Sequence, residues 1–231
     1  MQSDMFIYRL TVGVIVNVAI FGGLLFMPAG TFDWWRAWTF LCVVFVGTVA
    51  TMVSVFASNQ GLLDERLKPP IQKGQPLADK ILVIPLIAAF LGLILFIPFD
   101  VFHLHLMSKP VTMVSSLGLL LFVVGWWIIS LSFRENAFAA PVVKHQEERR
   151  HTVIDTGVYS VVRHPMYMGA ALLLVGMPLW LESYAAALLA IIPIGLLAVR
   201  ILFEERFLRR ELKGYEAYTG RVPWRLIPLL W

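Results

Sequence analysis

The sequence predicts an all-α integral membrane protein with about six transmembrane helices, the last two forming a tight helical hairpin. Three observations carry that prediction. Hydrophobic residues make up 59% of the 231 and charged residues only 15%, with a mean hydropathy of +0.77; a soluble domain of this length has too little interior to hide so much apolar surface. The apolar residues fall in blocks, and 6–27, 34–57, 81–102 and 111–133 are each near the roughly 20 residues that cross a bilayer core. Two further blocks, 166–181 and 184–203, are separated only by Glu182 and Ser183.

The first block follows Met1-Gln2-Ser3-Asp4-Met5, which has no basic n-region, and no small-residue cleavage site comes after it. It reads as a retained helix rather than a removed signal. The second opens on Trp34, Trp35 and Trp38, which with Trp224 and Trp231 read as interface anchors. It also holds Cys42, the single cysteine, which leaves no intramolecular disulfide and no thiol metal cluster and reads as a small packing residue. The polar stretch 58–80 contains Leu62-Leu63-Asp64-Glu65-Arg66-Leu67-Lys68, the pattern of a short amphipathic helix ended by Pro69-Pro70. Between the third and fourth blocks His103 and His105 form an H-x-H with no third ligand nearby, so no metal site is assigned. Trp126-Trp127, mid-span, read first as packing residues and otherwise as the lining of a lipid entrance.

The chain divides on this reading into a four-helix part, 1–133, and a catalytic part, 134–231. In the long polar stretch 134–163, Val142-Val143 and Thr152-Val153-Ile154 read as short extended pieces and Asp155-Thr156-Gly157 as a turn. Pro165 suits the first turn of a helix, where its missing N–H costs nothing. The fifth block reaches only about 24 Å at about 1.5 Å per residue, so its helix is expected to tilt, kink or stop short of a full crossing. Pro178 and Pro193 predict kinks in the hairpin. With six spans the loops alternate sides, and one side collects every lysine and arginine except Arg36 and Lys109. The positive-inside rule then puts both termini in the cytoplasm, and a five-span count breaks the pattern. The basic balance, with a pI near 9.4, is a topology signal and a contact with anionic membrane lipids. Nothing in it calls for nucleic acid.

Two polar clusters mark the candidate site, because polar groups at a bilayer boundary are costly without a task. One is the segment 157–169, with Arg163-His164-Pro165 at the start of the fifth apolar helix; the other is Glu204-Glu205-Arg206 at the end of the sixth. The free N–H groups and positive dipole end of the first helix, with Arg163 beside them, offer a place for a carboxylate. Arg200 and Glu204, four residues apart, share a helix face.

The run from His151-Thr152-Val153-Ile154 through Gly157-x-Tyr159 to Arg163-His164-Pro165-x-Tyr167-x-Gly169 resembles the isoprenylcysteine carboxyl methyltransferase family, within a wider group that includes phospholipid N-methyltransferases. The later Glu204-Glu205 and the tail Tyr215-x-x-Tyr218-x-x-x-Val222-Pro223 follow in order, so the resemblance covers roughly residues 140–225. It implies a membrane enzyme using S-adenosyl-L-methionine, bound by His151, Thr152, Val153, Ile154, Tyr159, Arg163, His164, Pro165, Met166, Tyr167 and Glu204. It further implies that Arg200, Glu204 and Glu205 form the catalytic end, with Arg200 holding an acceptor carboxylate. Lys144 stands where well-known members have a glutamine, and Lys213-Gly214 where a Phe-Gly is usual.

Methyl transfer from a sulfonium needs neither metal nor protein nucleophile. A carboxylate acceptor needs no general base, whereas an amine needs one, and a glutamate or His164 is placed to serve. The leading expectation is therefore a methyltransferase for a lipophilic or prenylated substrate, with carboxyl O-methylation first and phospholipid or amine N-methylation or thiol S-methylation as alternatives. An NADPH-dependent sterol-type reductase is the competing class, since its C-terminal half and the ending Val222-Pro223-Trp224-Arg225 are similar. A non-enzymatic lipid-binding protein of the same fold is the third.

Overall fold

The computed structural model describes residues 2–143 and 152–231. Nine α-helices are present in that part and no strand is found among the described residues: α1 (Gln2–Ala29), α2 (Trp35–Thr51), α3 (Gln60–Arg66), α4 (Leu77–Phe99), α5 (Thr112–Glu135), α6 (Pro165–Trp180), α7 (Tyr184–Leu189), α8 (Ile191–Glu211) and α9 (Tyr215–Arg221). Wider π-helical turns extend α2 over Met52–Phe56 and α4 over Asp100–Leu104. The pieces read as extended, Val142-Val143 and Thr152–Ile154, are irregular backbone without strand pairing.

Five stretches are long and apolar enough to cross a membrane: Thr11–Ala29, Trp35–Phe56, Leu77–Leu104, Thr112–Glu135 and Tyr184–Glu211. The remaining expected span, the fifth in order, is the shorter α6, of 16 residues. Its ends are set locally. Pro165 opens the helix with His164 as N-cap, and Glu182 ends the reversal after it in the left-handed region at φ 70°. The Ser183 hydroxyl then accepts from Ala186 N–H at 2.9 Å and starts α7. The helix breaks again at Ala190, because Pro193 cannot donate to Leu189 and its ring crowds that carbonyl.

Although short, α6 joins two layers of loops. At one end of the bundle Arg36 pairs with Glu182 at 3.1 Å and Lys109 with the same carboxylate at 3.8 Å, and Ser183 Oγ donates to Asp100. Loops 30–34, 105–111 and 181–183 therefore meet there. At the other end Asp79, Val143, Arg163 and Val222 are linked by hydrogen bonds. Between these layers α6 lies antiparallel against α5 with the backbones nearly touching. A Cβ on Gly169 would fall 2.6 Å from the Gly125 carbonyl oxygen, and one on Gly176 2.5 Å from that of Gly118. Glycine pairs of this kind let membrane helices approach closely.

The main core runs through the bundle, with Leu25, Phe40, Ile94, Ile97, Met177, Leu181 and Ile201 fully buried. Leu62 and Leu63 of α3 pack with Val55, Phe56 and Phe133, so the amphipathic segment begins two residues earlier than its apolar pattern and is held at the bundle end. Three local expectations change. Cys42 is exposed on the bundle's outer face rather than packed, and Trp34 is buried at 5% exposure, because it meets Phe102 edge-on. Trp126 packs as expected, donating to Thr51 Oγ1 at 3.1 Å and lying against Gly47, but Trp127 faces outward.

Candidate active site

The loop entering α6 and the end of α8 come together with the tail. Arg163 and His164 N–H groups donate to the carbonyls of Trp224 and Arg225, both at 2.9 Å. Beneath this backbone pairing lies a buried charge network centred on Glu205, which is 3% exposed. One of its oxygens takes Arg163 Nε at 2.7 Å and lies 3.2 Å from His164 Nε2; the other takes Arg225 Nε at 3.0 Å. Arg163 Nη1 donates to the Val222 carbonyl at 2.7 Å.

Glu204 turns the other way. It is half-buried and lines a cavity together with Thr152, Val153, Ile154, Tyr159, Arg163, His164, Met166, Tyr167 and Arg200. The Tyr167 hydroxyl donates to Glu204 Oε2 at 2.6 Å, and the His164 ring stacks on Tyr167 with centroids 5.6 Å apart. Pro165 is buried at the helix start and, like Glu205, is not part of the cavity wall. His151 and Lys144 lie outside the described residues.

Several wall residues were not among the site residues expected from the sequence, Tyr215 and Tyr218 having entered only through the tail pattern. Asn136, Phe138, Ala139 and Ala140 follow α5; Leu208 and Leu212 come from α8 and its end; Tyr215 and Tyr218 come from α9. Asn136 Nδ2 lies 3.3 Å from the Tyr159 hydroxyl, and the Tyr218 hydroxyl donates to the Tyr159 carbonyl at 2.7 Å. Burial raises the pKa of Tyr159, Tyr215 and Tyr218, so all three phenols keep their protons at neutral pH. The Tyr215 hydroxyl is buried without a hydrogen-bond partner among the described residues. Arg66 lies over the Phe133 ring at 4.2 Å and donates to the Ala139 carbonyl at 3.0 Å; burial pulls its guanidinium down to about 10.

Arg200, 6% exposed, does not pair with Glu204 despite the shared face. Its Nε donates to Asp79 Oδ1 at 2.8 Å and its Nη2 to the Pro141 carbonyl at 2.8 Å. Asp79, at the start of α4, was not among the sequence candidates. A second groove lies beside the cavity and shares Val143 and Glu204 with it; Asp79, Phe203, Arg206 and Phe207 also line it.

Fold and site together define a multi-helical membrane protein with a polar, aromatic-walled cavity at one end of the bundle. The segment that builds this cavity has known relatives. Residues 113–214, from α5 to just past the end of α8, match the sequence profile of the family described as phospholipid methyltransferase. Protein-S-isoprenylcysteine O-methyltransferase B of Arabidopsis thaliana is 32% identical over 84 residues. That stretch covers 36% of this chain and 43% of the relative, so the chain spans less than half the length of the curated protein it matches.

Proposed function

We propose that this protein is an integral membrane methyltransferase that uses S-adenosylmethionine to methylate the carboxylate of a lipophilic, prenylcysteine-type acceptor. One observation carries the reading: ten of the expected site residues, drawn from the loop before α6, α6 itself and α8, line a single cavity.

The donor set suits the cofactor. A half-buried carboxylate, Glu204, sits beside the Tyr167 ring, and carboxylates and aromatic faces both attract cationic groups. The unpartnered Tyr215 hydroxyl supplies a donor, and Val153, Ile154, Leu208 and Leu212 supply apolar wall. Thr152, Val153, Ile154, Tyr159, Arg163, His164, Pro165, Met166, Tyr167 and Glu204 are the residues that would hold the cofactor, with Tyr215 added and His151 as a further candidate. When bound, the cofactor supplies an electrophilic methyl group on a sulfonium sulfur. Arg200 holds the acceptor carboxylate through the N–H groups that Asp79 and Pro141 leave free. Glu205, with both oxygens engaged, positions Arg163 and His164 rather than touching the reacting atoms. Holding acceptor and methyl in line lowers the barrier by removing orientational freedom. Water exclusion at the membrane edge favours a step in which opposite charges cancel. The lysines and arginines gathered at the cavity end support a cytoplasmic position for that end and both termini, against anionic lipids.

Calorimetric titration of the detergent-purified protein with S-adenosylhomocysteine, with NADPH in parallel, tests the class. Micromolar-range binding of the former alone is expected. Binding of NADPH alone would turn the assignment to a sterol-type reductase, and binding of neither would remove the enzymatic reading. A panel of prenylcysteine acid, phospholipid amine and lipophilic thiol then separates the acceptors, with methylation of the acid expected. Arg200→Ala is expected to spare S-adenosylhomocysteine binding while impairing turnover of that acid.

A further inference from the structure

We infer that Asp79 is a positioning residue that aims Arg200 at the acceptor, so that the acceptor end of the site is completed by the N-terminal half of the chain. The inference rests on the carboxylate-acceptor reading above. Asp79 is 2% exposed, and three donors converge on its carboxylate. Oδ1 accepts from Arg200 Nε at 2.8 Å; Oδ2 accepts from the Val143 N–H at 2.9 Å and from Gln75 Nε2 at 2.7 Å. The first bond, with the Arg200 Nη2 bond to Pro141, fixes two of the three guanidinium nitrogens. Nη1 makes no protein hydrogen bond among the described residues, and Arg200 lines the cavity. An arginine fork held along one side offers its remaining N–H groups in a set direction, which suits a planar carboxylate.

Charge supports the same assignment. An isolated guanidinium this deeply buried is unfavourable, and a carboxylate partner compensates it. Asp79 therefore holds Arg200 in place before any acceptor arrives. The Oδ2 bond to Val143 also anchors the 139–143 wall of the cavity to α4. Asp79 faces the neighbouring groove while Arg200 faces the cavity, so the pair forms part of the partition between them. Asp79 hydrogen-bonds to none of Thr152, Tyr159, His164 or Tyr167, and its effect is directed to the acceptor rather than the cofactor. Position 79 also lies outside the family match of 113–214.

The variant Asp79→Asn is isosteric but cannot serve three donors, since its own NH2 must confront one of them. With N-acetyl-S-farnesylcysteine as acceptor, KM is expected to rise by about tenfold or more, while S-adenosylhomocysteine affinity stays within about threefold. In an Arg200→Ala background, Asp79→Asn is expected to cause little further loss of kcat/KM, because the group it positions is gone. A purely structural role would instead lower cofactor affinity alongside turnover and add its loss in the double variant. Either of those results, or an unchanged KM, overturns the inference. Asp79→Glu, which keeps the charge but shifts it by one methylene, is the second variant should Asp79→Asn fail to fold; the same KM effect, smaller, is expected, and an unchanged KM again overturns it. Wild-type protein that binds S-adenosylhomocysteine but neither binds nor methylates the probe would overturn the carboxylate reading and this inference with it. Wild-type protein that binds no S-adenosylhomocysteine would overturn the enzyme class itself.

Discussion

Glu204 and Glu205 are chain neighbours, and roughly 100° of helical rotation gives them different surroundings. Glu204 reaches the cavity with one recorded partner, Tyr167; Glu205 is enclosed by Arg163, His164 and Arg225. Glu204→Gln is expected to weaken S-adenosylhomocysteine binding by about tenfold or more, the scale of a lost charge-assisted bond, with little change in unfolding temperature. Glu205→Gln is expected to destabilise the fold by about 3–5 kcal/mol, because it strands buried Arg163. Thermal unfolding and calorimetry on both variants check the contrast, and equal effects from the two would dissolve the division of roles. The motif positions around residue 164 were legible because proline, histidine and tyrosine stand together at a helix start. Asp79 was not: an acid in a polar loop reads as solvated until Arg200, 121 positions away, is seen against it.

Helices α5 and α6 pack most intimately, and their glycines explain why. Gly176→Ala would force a methyl to within 2.5 Å of the Gly118 carbonyl oxygen and 2.6 Å of Phe122 N, both backbone atoms that cannot rotate away. A loss of about 1–3 kcal/mol is expected from such overpacking, read as a lower unfolding temperature. S-adenosylhomocysteine binding should weaken too, since α6 carries His164–Tyr167. At Gly92 no atom lies within 4 Å of the added methyl, and Gly92→Ala is expected to be neutral or slightly stabilising; equal losses at both positions would remove close approach as the cause. The apolar blocks announced all the long helices, since their length is a property of local composition. The break at Ala190 was half legible: Pro193 signalled a kink, but its place three residues back follows from the ring meeting the Leu189 carbonyl on the preceding turn.

Across the whole molecule, the two basic residues that the charge count set apart, Arg36 and Lys109, converge on Glu182 at the end away from the cavity. Arg36 also lies between the Trp35 and Trp180 rings, 4.9 and 4.8 Å from their centroids. That cluster places the far end of the 16-residue α6 with loops 30–34 and 105–111. Five helices reach full crossing length among the described residues, and the six-pass alternation depends on the shorter α6 crossing as well. In a Cys42→Ser background, a single cysteine at Ser3 or Lys213 should react with an impermeant maleimide only from the cytoplasmic face, and one at Lys109 only from the opposite face. Labelling of positions 109 and 213 from the same face would overturn the six-pass arrangement.

Composition and the order of apolar blocks were enough to establish a multi-helical membrane protein, because bilayer thickness converts directly into run length. Residue chemistry around 151–169 and 200–205 was enough to mark the candidate site, because polar groups beside a membrane helix are conspicuous. Tertiary structure alone decided which glutamate faces the cavity, that α9 tyrosines complete its wall, and that Arg200 is held by Asp79 rather than by Glu204. Each of these depends on contacts between segments far apart in the chain, and helix rotation and close approach become fixed only when the whole bundle packs.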